Sequence, residues 1–512
     1  MAIDYAVIVL YLAGMLAVGW WGMRRAKSKS DFLVAGRRLG PFMYSGTMAA
    51  IVLGGASTIG GVGLGYQYGL SGAWMVFTIG LGLLALSLFF SARISRLKVY
   101  TVSQMLDLRY GGSSAVISGV VMWAYTLMLA VTSTIAYASI FDVIFGMDRV
   151  LAIVLGGAIV IAYSTLGGMW SITLSDMVQF VVKSIGVLLL LAPIAVVKAG
   201  GFGAMQERLP DSYFSPMSVG LQTVFTYVLI YSFGMLIGQD IWQRVFTARS
   251  DRVAFRGGTA AGTYCLVYAI AGAVIGTAAK VLYPHLDSPD AAFATIVEKA
   301  LPVGVKGLVL AAALSAVMST SSGALIACAT VANNDIWSRI RARLGRGTKG
   351  PEDAGPHDEV RGNRLFILIM GIATVAVSIA LNDVVEALQV AYNLLVGGLL
   401  VPVLGGLVWK RGTAQGALAA VAVGGLTVLG TMLWKGILAN EPIYYGLLAS
   451  LVVFVAVSLC TPPTDPAVLA VWRDRLAGGD GTGGAVATEP TAAHEPGADG
   501  APAPTRKAQT EA

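Results

Sequence analysis

Hydroxyl residues cluster in one apolar stretch of the chain, LSAVMSTSSGALIACAT over 314–330. Ser315, Ser319 and Ser322 follow one another at intervals of four and three, so a helix places them on one face, with Thr320 beside them. Hydroxyl oxygens grouped with backbone carbonyls make a hard, neutral ligand set suited to a small alkali cation. The same hydroxyls can instead bond back onto carbonyls of their own helix. On spacing alone the second reading is the stronger.

Two ionisable residues stand inside another apolar stretch, 174–197: Asp176 and Lys183. A charge at membrane depth is costly and marks an ion or substrate path by default. Asp176 follows the GGMWSITLS turn, near an interface. Lys183 comes seven residues later, nearly on the same helical face and roughly 10 Å deeper at 1.5 Å per residue. Three roles fit it: balancing Asp176, meeting a substrate carboxylate as countercharge, or standing in the place of a cation. Other chemistry finds little support. His285, His357 and His494 fall in loops and tail, and Cys265, Cys328 and Cys460 lie far apart without metal-type spacing. No nucleophile–base pattern indicates an enzyme, and no organic cofactor is expected.

These residues need a bilayer around them. The 512-residue chain is 56% hydrophobic and 12% charged, whereas soluble domains carry about 25% charged residues. Hydropathy divides it into about thirteen all-α spans: 5–23, 41–66, 72–91, 114–145, 150–167, 174–197, 219–243, 258–281, 304–333, 365–382, 385–408, 413–434 and 442–460. The first is an uncleaved helix, because no basic residue precedes it. With the amino terminus outside, 23 Lys and Arg fall in inner connections and 7 in outer ones. That asymmetry predicts a multi-pass protein of the cell (cytoplasmic) membrane with its carboxyl terminus in the cytoplasm. It also accounts for the net charge of +7 without nucleic acid. A transmembrane domain is expected over 1–460. From 461 to 512 the Gly-, Ala- and Pro-rich composition predicts a disordered cytoplasmic tail.

Two spans look breakable. The second, MAAIVLGGASTIGGVGLG, holds six glycines around Ser57 and Thr58; the seventh, YVLIYSFGMLIGQDIW, is interrupted at Gly234 and Gly238. Glycines in membrane helices often serve only close packing. These two spans, however, lie five apart, where equivalent helices of a five-plus-five inverted repeat would bind substrate at the midplane.

With SDFLVAGRRLGPF before the second span, STLGGMWSITLSDMVQF, IGQDIWQR, AVMSTSSG and WKRGTAQGA in order along residues 5–460, the chain resembles the sodium:solute symporter family. The resemblance implies a leucine-transporter-type fold with core repeats over about 41–197 and 219–408. It implies alternating-access uptake of a small organic solute coupled to sodium. It also implies a sodium site at the carbonyls of Ala50, Leu53 and Ala316 and the hydroxyls of Ser319 and Thr320. Asp176 matches the acidic residue on the family's sodium exit route. Ser322 could join it in a second ion site, where Gly323 lacks the next hydroxyl. A carrier driven by protons, or by no ion, with Lys183 replacing sodium, is the alternative.

The expected substrate pocket draws on Ala56, Ser57, Thr58, Trp123, Tyr227, Tyr231, Phe233 and Gln239, which are small, aromatic and mostly neutral. Choline-type relatives have tryptophans where this chain has Val52 and Gly238, and proline carriers have an aspartate at the position of Val52. A carboxylate or zwitterion is preferred, since Lys183 is a candidate countercharge and helix amino termini attract carboxylates.

Overall fold

In the computed structural model, residues 2–111, 115–344, 356–381 and 384–479 are described, and they are almost entirely helical. Among them, ten helices are long and apolar enough to cross a membrane, or eleven if one bent pair is counted as a single span. The expected count of thirteen is not reached by that measure. Ala56–Arg96 runs through parts of two expected spans with a positive-φ residue at Gly69, and Arg149–Lys198 runs through two more with one at Gly168.

The helix at the centre is Val305–Val331. It is buried without a gap from Val309 to Val331, and it packs against Ala2–Met23, Pro41–Val52, Ala115–Phe145 and Arg149–Lys183. Small residues at most of its positions allow that enclosure. Its amino-terminal end is fixed by Asp4, whose carboxylate accepts from the amides of Gly304 and Gly307 at 2.9 and 2.8 Å. A carboxylate there also complements the helix dipole.

Both expected breaks are present. The helix Pro41–Val52 starts with proline in its first turn and ends where Leu53 leaves helical geometry at φ −99°, ψ 73°. Helical winding resumes at Gly55 and continues to Tyr68. Leu221–Ile237 and Gln239–Val245 meet at an angle of 44° about Gly238, which is extended at φ −60°, ψ 128°.

The loop segments beside the breaks have structural tasks. Leu39 and Ala248 form a short parallel bridge: the Leu39 amide donates to Thr247 O (3.0 Å) and the Arg249 amide to Leu39 O (3.1 Å). Gln243 Nε2 donates to Leu33 O at 2.8 Å. The entrance to the first broken helix is therefore bound to the exit of the second. Gly168, at φ +56°, lies directly against Phe32 of the same loop.

The expected boundary at 460 is too early. Pro466–Ala477 is a helix, capped by Asp465 accepting from the Ala467 amide at 2.8 Å, and its Trp472 is buried. It packs on Ser91–Arg96 and Val102–Tyr110. The remainder of the expected tail, 480–512, lies outside the described residues.

A Cβ at Gly168 would stand 2.4 Å from the carbonyl oxygen of Phe32, in addition to the left-handed backbone. Gly168→Ala is therefore expected to lower stability by roughly 1–3 kcal/mol, as a fall in thermal midpoint of the purified protein. An unchanged midpoint would mean the loop is not seated there.

Candidate transport site

A helix ending inside the bilayer leaves carbonyls without intrahelical partners, and lipid cannot supply donors. The end of Pro41–Val52 meets this need with side chains from two other helices. Ser319 Oγ donates to Ala50 O at 2.7 Å and shares a second contact with Ala316 O at 3.0 Å. Thr320 Oγ1 donates to Ile51 O at 2.6 Å. The ammonium of Lys183 donates to Ala50 O at 3.0 Å and Leu53 O at 2.8 Å. Lys183 is wholly buried. Gly54 makes the approach possible: a Cβ there would come within 2.4 Å of Thr320 Oγ1.

The structure thus brings together Ala50, Leu53, Ala316 and Ser319, with Thr320 one residue along on the same helix. It adds Lys183 to them. The hydroxyls bond across to the broken helix rather than only back onto their own. Of the remaining hydroxyls on this face, Ser315 Oγ donates to Ala311 O (2.8 Å) and Ser322 Oγ to Ser319 O (3.1 Å), the back-bonding that spacing alone favoured.

Towards the end of the molecule opposite the amino terminus, Asp176 receives Thr47 Oγ1 and Arg244 Nη2, the latter at 3.3 Å. Both charged side chains are completely buried. Thr47 belongs to Pro41–Val52 and Arg244 to Gln239–Val245, so one carboxylate holds one half of each broken helix.

On the other side of the breaks is a cavity of about 300 Å³, with Gly55, Ala56, Gln67, Tyr227, Tyr231, Asp290 and Gln389 among its lining. Ala56 and Met75 are shared with a smaller chamber of about 30 Å³ that reaches Ser57, Thr132, Ser133, Asp240, Thr320 and Tyr392. Of the expected pocket residues, Ala56, Ser57, Tyr227 and Tyr231 line these spaces. The others line neither. Thr58 Oγ1 pairs with Tyr268 OH at 2.8 Å, and Trp123 Nε1 contacts Met370 Sδ at 3.2 Å. Phe233 packs against the core. Gln239 accepts from the Val102 amide (2.8 Å) and donates to Tyr100 O (3.0 Å).

Asp240 is the site residue that sequence reasoning missed. It follows the break at Gly238, accepts from Tyr125 OH at 2.8 Å, and borders the small chamber. The available signal was its place in IGQDIWQR, an acidic residue one position after the expected glutamine.

A model of the sodium:solute symporter family matches residues 32–424. The chain belongs to the sodium:solute symporter family. As a member it is a membrane transporter that couples solute movement to sodium, and not an enzyme. Its curated relatives include the osmoregulated proline transporter OpuE of Bacillus subtilis (strain 168), 23% identical over 478 residues, which span 88% of this chain and 94% of that protein. They also include a sodium/proline symporter of Staphylococcus aureus (strain JH9), 26% identical over 468 residues, or 86% and 88% of the two chains. Among solved structures, a Na+-coupled sialic acid symporter in a substrate-bound outward-open state superposes with a TM-score of 0.79 at 19% identity, covering 90% of this chain and 98% of that one. The nucleobase-cation symporter Mhp1 in a closed conformation gives 0.54 at 15% identity, over 88% and 99%. The fold is the leucine-transporter type.

Removing one member of a buried ion pair leaves an uncompensated charge. Arg244→Gln is expected to cost about 3–5 kcal/mol of stability, read by unfolding in detergent. Adding Asp176→Asn should recover most of that loss. A double variant no better than the single would show that the pair is not the source.

Proposed function

We propose that this symporter takes up a small zwitterionic solute with sodium, with its amino terminus outside the cell and its carboxyl terminus in the cytoplasm. The observation that carries the reading is the cavity at the two helix breaks. The small chamber that adjoins the larger cavity there offers a carboxylate, Asp240, for an ammonium group, and the amino-terminal end of the resumed helix at Gly55–Ser57 for a carboxylate. Among the described residues, no Lys or Arg lines either space. An anion without an amine would thus find no cationic side chain in either lining, and Lys183 acts on the carbonyl side of the break rather than on the solute. The larger cavity, which meets that chamber at Ala56 and Met75, has a volume of about 300 Å³, room for a molecule of amino-acid size beside it. The names of the curated relatives agree with a zwitterion: they are proline carriers. Where proline carriers have an aspartate at Val52, Asp240 offers the carboxylate from the other broken helix.

The positive-inside asymmetry supports the orientation. In that orientation the cavity faces outward, while Thr47, Asp176 and Arg244 close the cytoplasmic side. Inward opening would part this cluster, and sodium would leave past Asp176 and Ser322. Trp123, Phe233 and Thr58 would serve the pocket from behind its lining, and Gln239 would hold the second break.

The test is thermal stabilisation of the purified full chain by proline, glycine betaine, small monocarboxylates and choline, each with and without sodium. A true solute at about 100 times its Kd stabilises by about 2.7 kcal/mol. Zwitterions should do so, more strongly with sodium. Asp240→Asn should weaken them at least tenfold. Equal stabilisation by a monocarboxylate, or undiminished zwitterion affinity in Asp240→Asn, would overturn the substrate assignment.

A further inference from the structure

The residues implied as sodium ligands already hold a cation, and it is part of the chain. Lys183 Nζ lies 3.0 Å from Ala50 O and 2.8 Å from Leu53 O, the two carbonyls assigned to the ion. Both hydrogen bonds of this ammonium go to carbonyls; the acidic residue on its own helix, Asp176, is engaged by Thr47 and Arg244. The hydroxyls assigned to sodium point their protons at the broken helix: Ser319 at Ala50 O, Thr320 at Ile51 O. The Ser319 bond takes up one of the two lone pairs of Ala50 O, and Lys183 Nζ approaches the same oxygen. The ammonium therefore completes the set without a metal.

We propose that the ammonium of Lys183 is a tethered cation in the position of the family's sodium, and that sodium and the lysine exclude each other there. An ion bound to the carbonyls of Ala50 and Leu53 would stand against Nζ, so sodium enters only when the side chain withdraws. The inference rests on the sodium-coupled reading for the identity of the competing ion, and on the hydrogen bonds of Lys183 for the competition itself. Its consequence is that sodium binds this site more weakly than the five oxygen donors alone would allow. The lysine tie also lets the second and sixth spans join through the bundle while no sodium is present.

The experiment is a sodium titration of the thermal midpoint of the purified full chain, with potassium chloride holding ionic strength constant. Wild type, Lys183→Met, Lys183→Gln and Lys183→Arg are compared. Either neutral variant should gain a sodium response, or reach half-effect at a concentration at least tenfold lower than wild type. Glutamine keeps an amide donor for the carbonyls, so it covers the case in which methionine fails to fold. Lys183→Arg keeps the charge and should gain nothing. Adding Ser319→Ala to the responding variant should abolish the gain, which locates it at this site. Equal sodium responses in wild type and both neutral variants would overturn the proposal while leaving sodium coupling intact. Gain in the neutral variants, with wild-type uptake that ignores sodium, would uphold the proposal and overturn sodium coupling. No sodium response in any of the proteins would overturn both.

Discussion

The carbonyls released where the Pro41–Val52 helix stops are the constraint on which the rest of the structure depends. Lipid offers no donor, so a helix can stop at that depth only if protein supplies the missing hydrogen bonds. Ser319, Thr320 and Lys183 supply them to Ala50, Ile51 and Leu53. The donors come from the buried central helix and from the end of Arg149–Lys183. Breaking the second span therefore fixes where two other helices must stand. The glycine at 54 is part of the same requirement, because any side chain there would push Thr320 away.

The electrostatics follow from the same break. The carboxyl-terminal end of a helix carries partial negative charge and the amino-terminal end partial positive charge. The first half-helix presents its negative end to the Lys183 ammonium, and the resumed half presents its positive end to the cavity. Negative and positive helix ends are thus set on opposite sides of a gap only a few residues long. Two unit charges about 4 Å apart repel by about 4 kcal/mol even at an effective dielectric of 20. A second cation on the lysine side is therefore opposed by the lysine itself, whereas Asp240 on the cavity side favours a positive group.

Sequence made the breaks legible because glycine clusters at matching positions in two spans are a local signal. The hydroxyl face and Lys183 were legible for the same reason: their residue types are costly in an apolar helix wherever they point. What sequence left open was which atoms they would meet. Lys183 had three compatible roles, and only the hydrogen bonds to Ala50 and Leu53 distinguish among them. Gln239 and Asp240 are neighbours just after a break, so no periodicity assigns either to a face; the fold turns the first to Val102 and Tyr100 and the second to Tyr125 and the chamber. Trp123 sits on an expected pocket helix yet meets Met370 instead. The Pro466–Ala477 helix escaped because the composition of the following residues masked a short segment held mainly by one tryptophan.

The ties near the breaks join the same partners repeatedly. Thr47 and Arg244 reach Asp176 from one half of each broken helix, while Lys183, two turns along the helix from Asp176, reaches Ala50 and Leu53. The parallel bridge between Leu39 and Ala248, with Gln243 on Leu33, binds those two halves to each other. They are therefore tied to each other as well as to the helix that carries Asp176 and Lys183. Because the contacts share so few elements, loosening one loads the others, and the arrangement favours two states over a gradual opening. A transporter needs such an all-or-none closure, since a half-open path would leak solute and ion alike. The lysine belongs to that network through Ala50 and Leu53, so whatever holds those two carbonyls also bears on how firmly the broken helix is tied to the helix of Asp176.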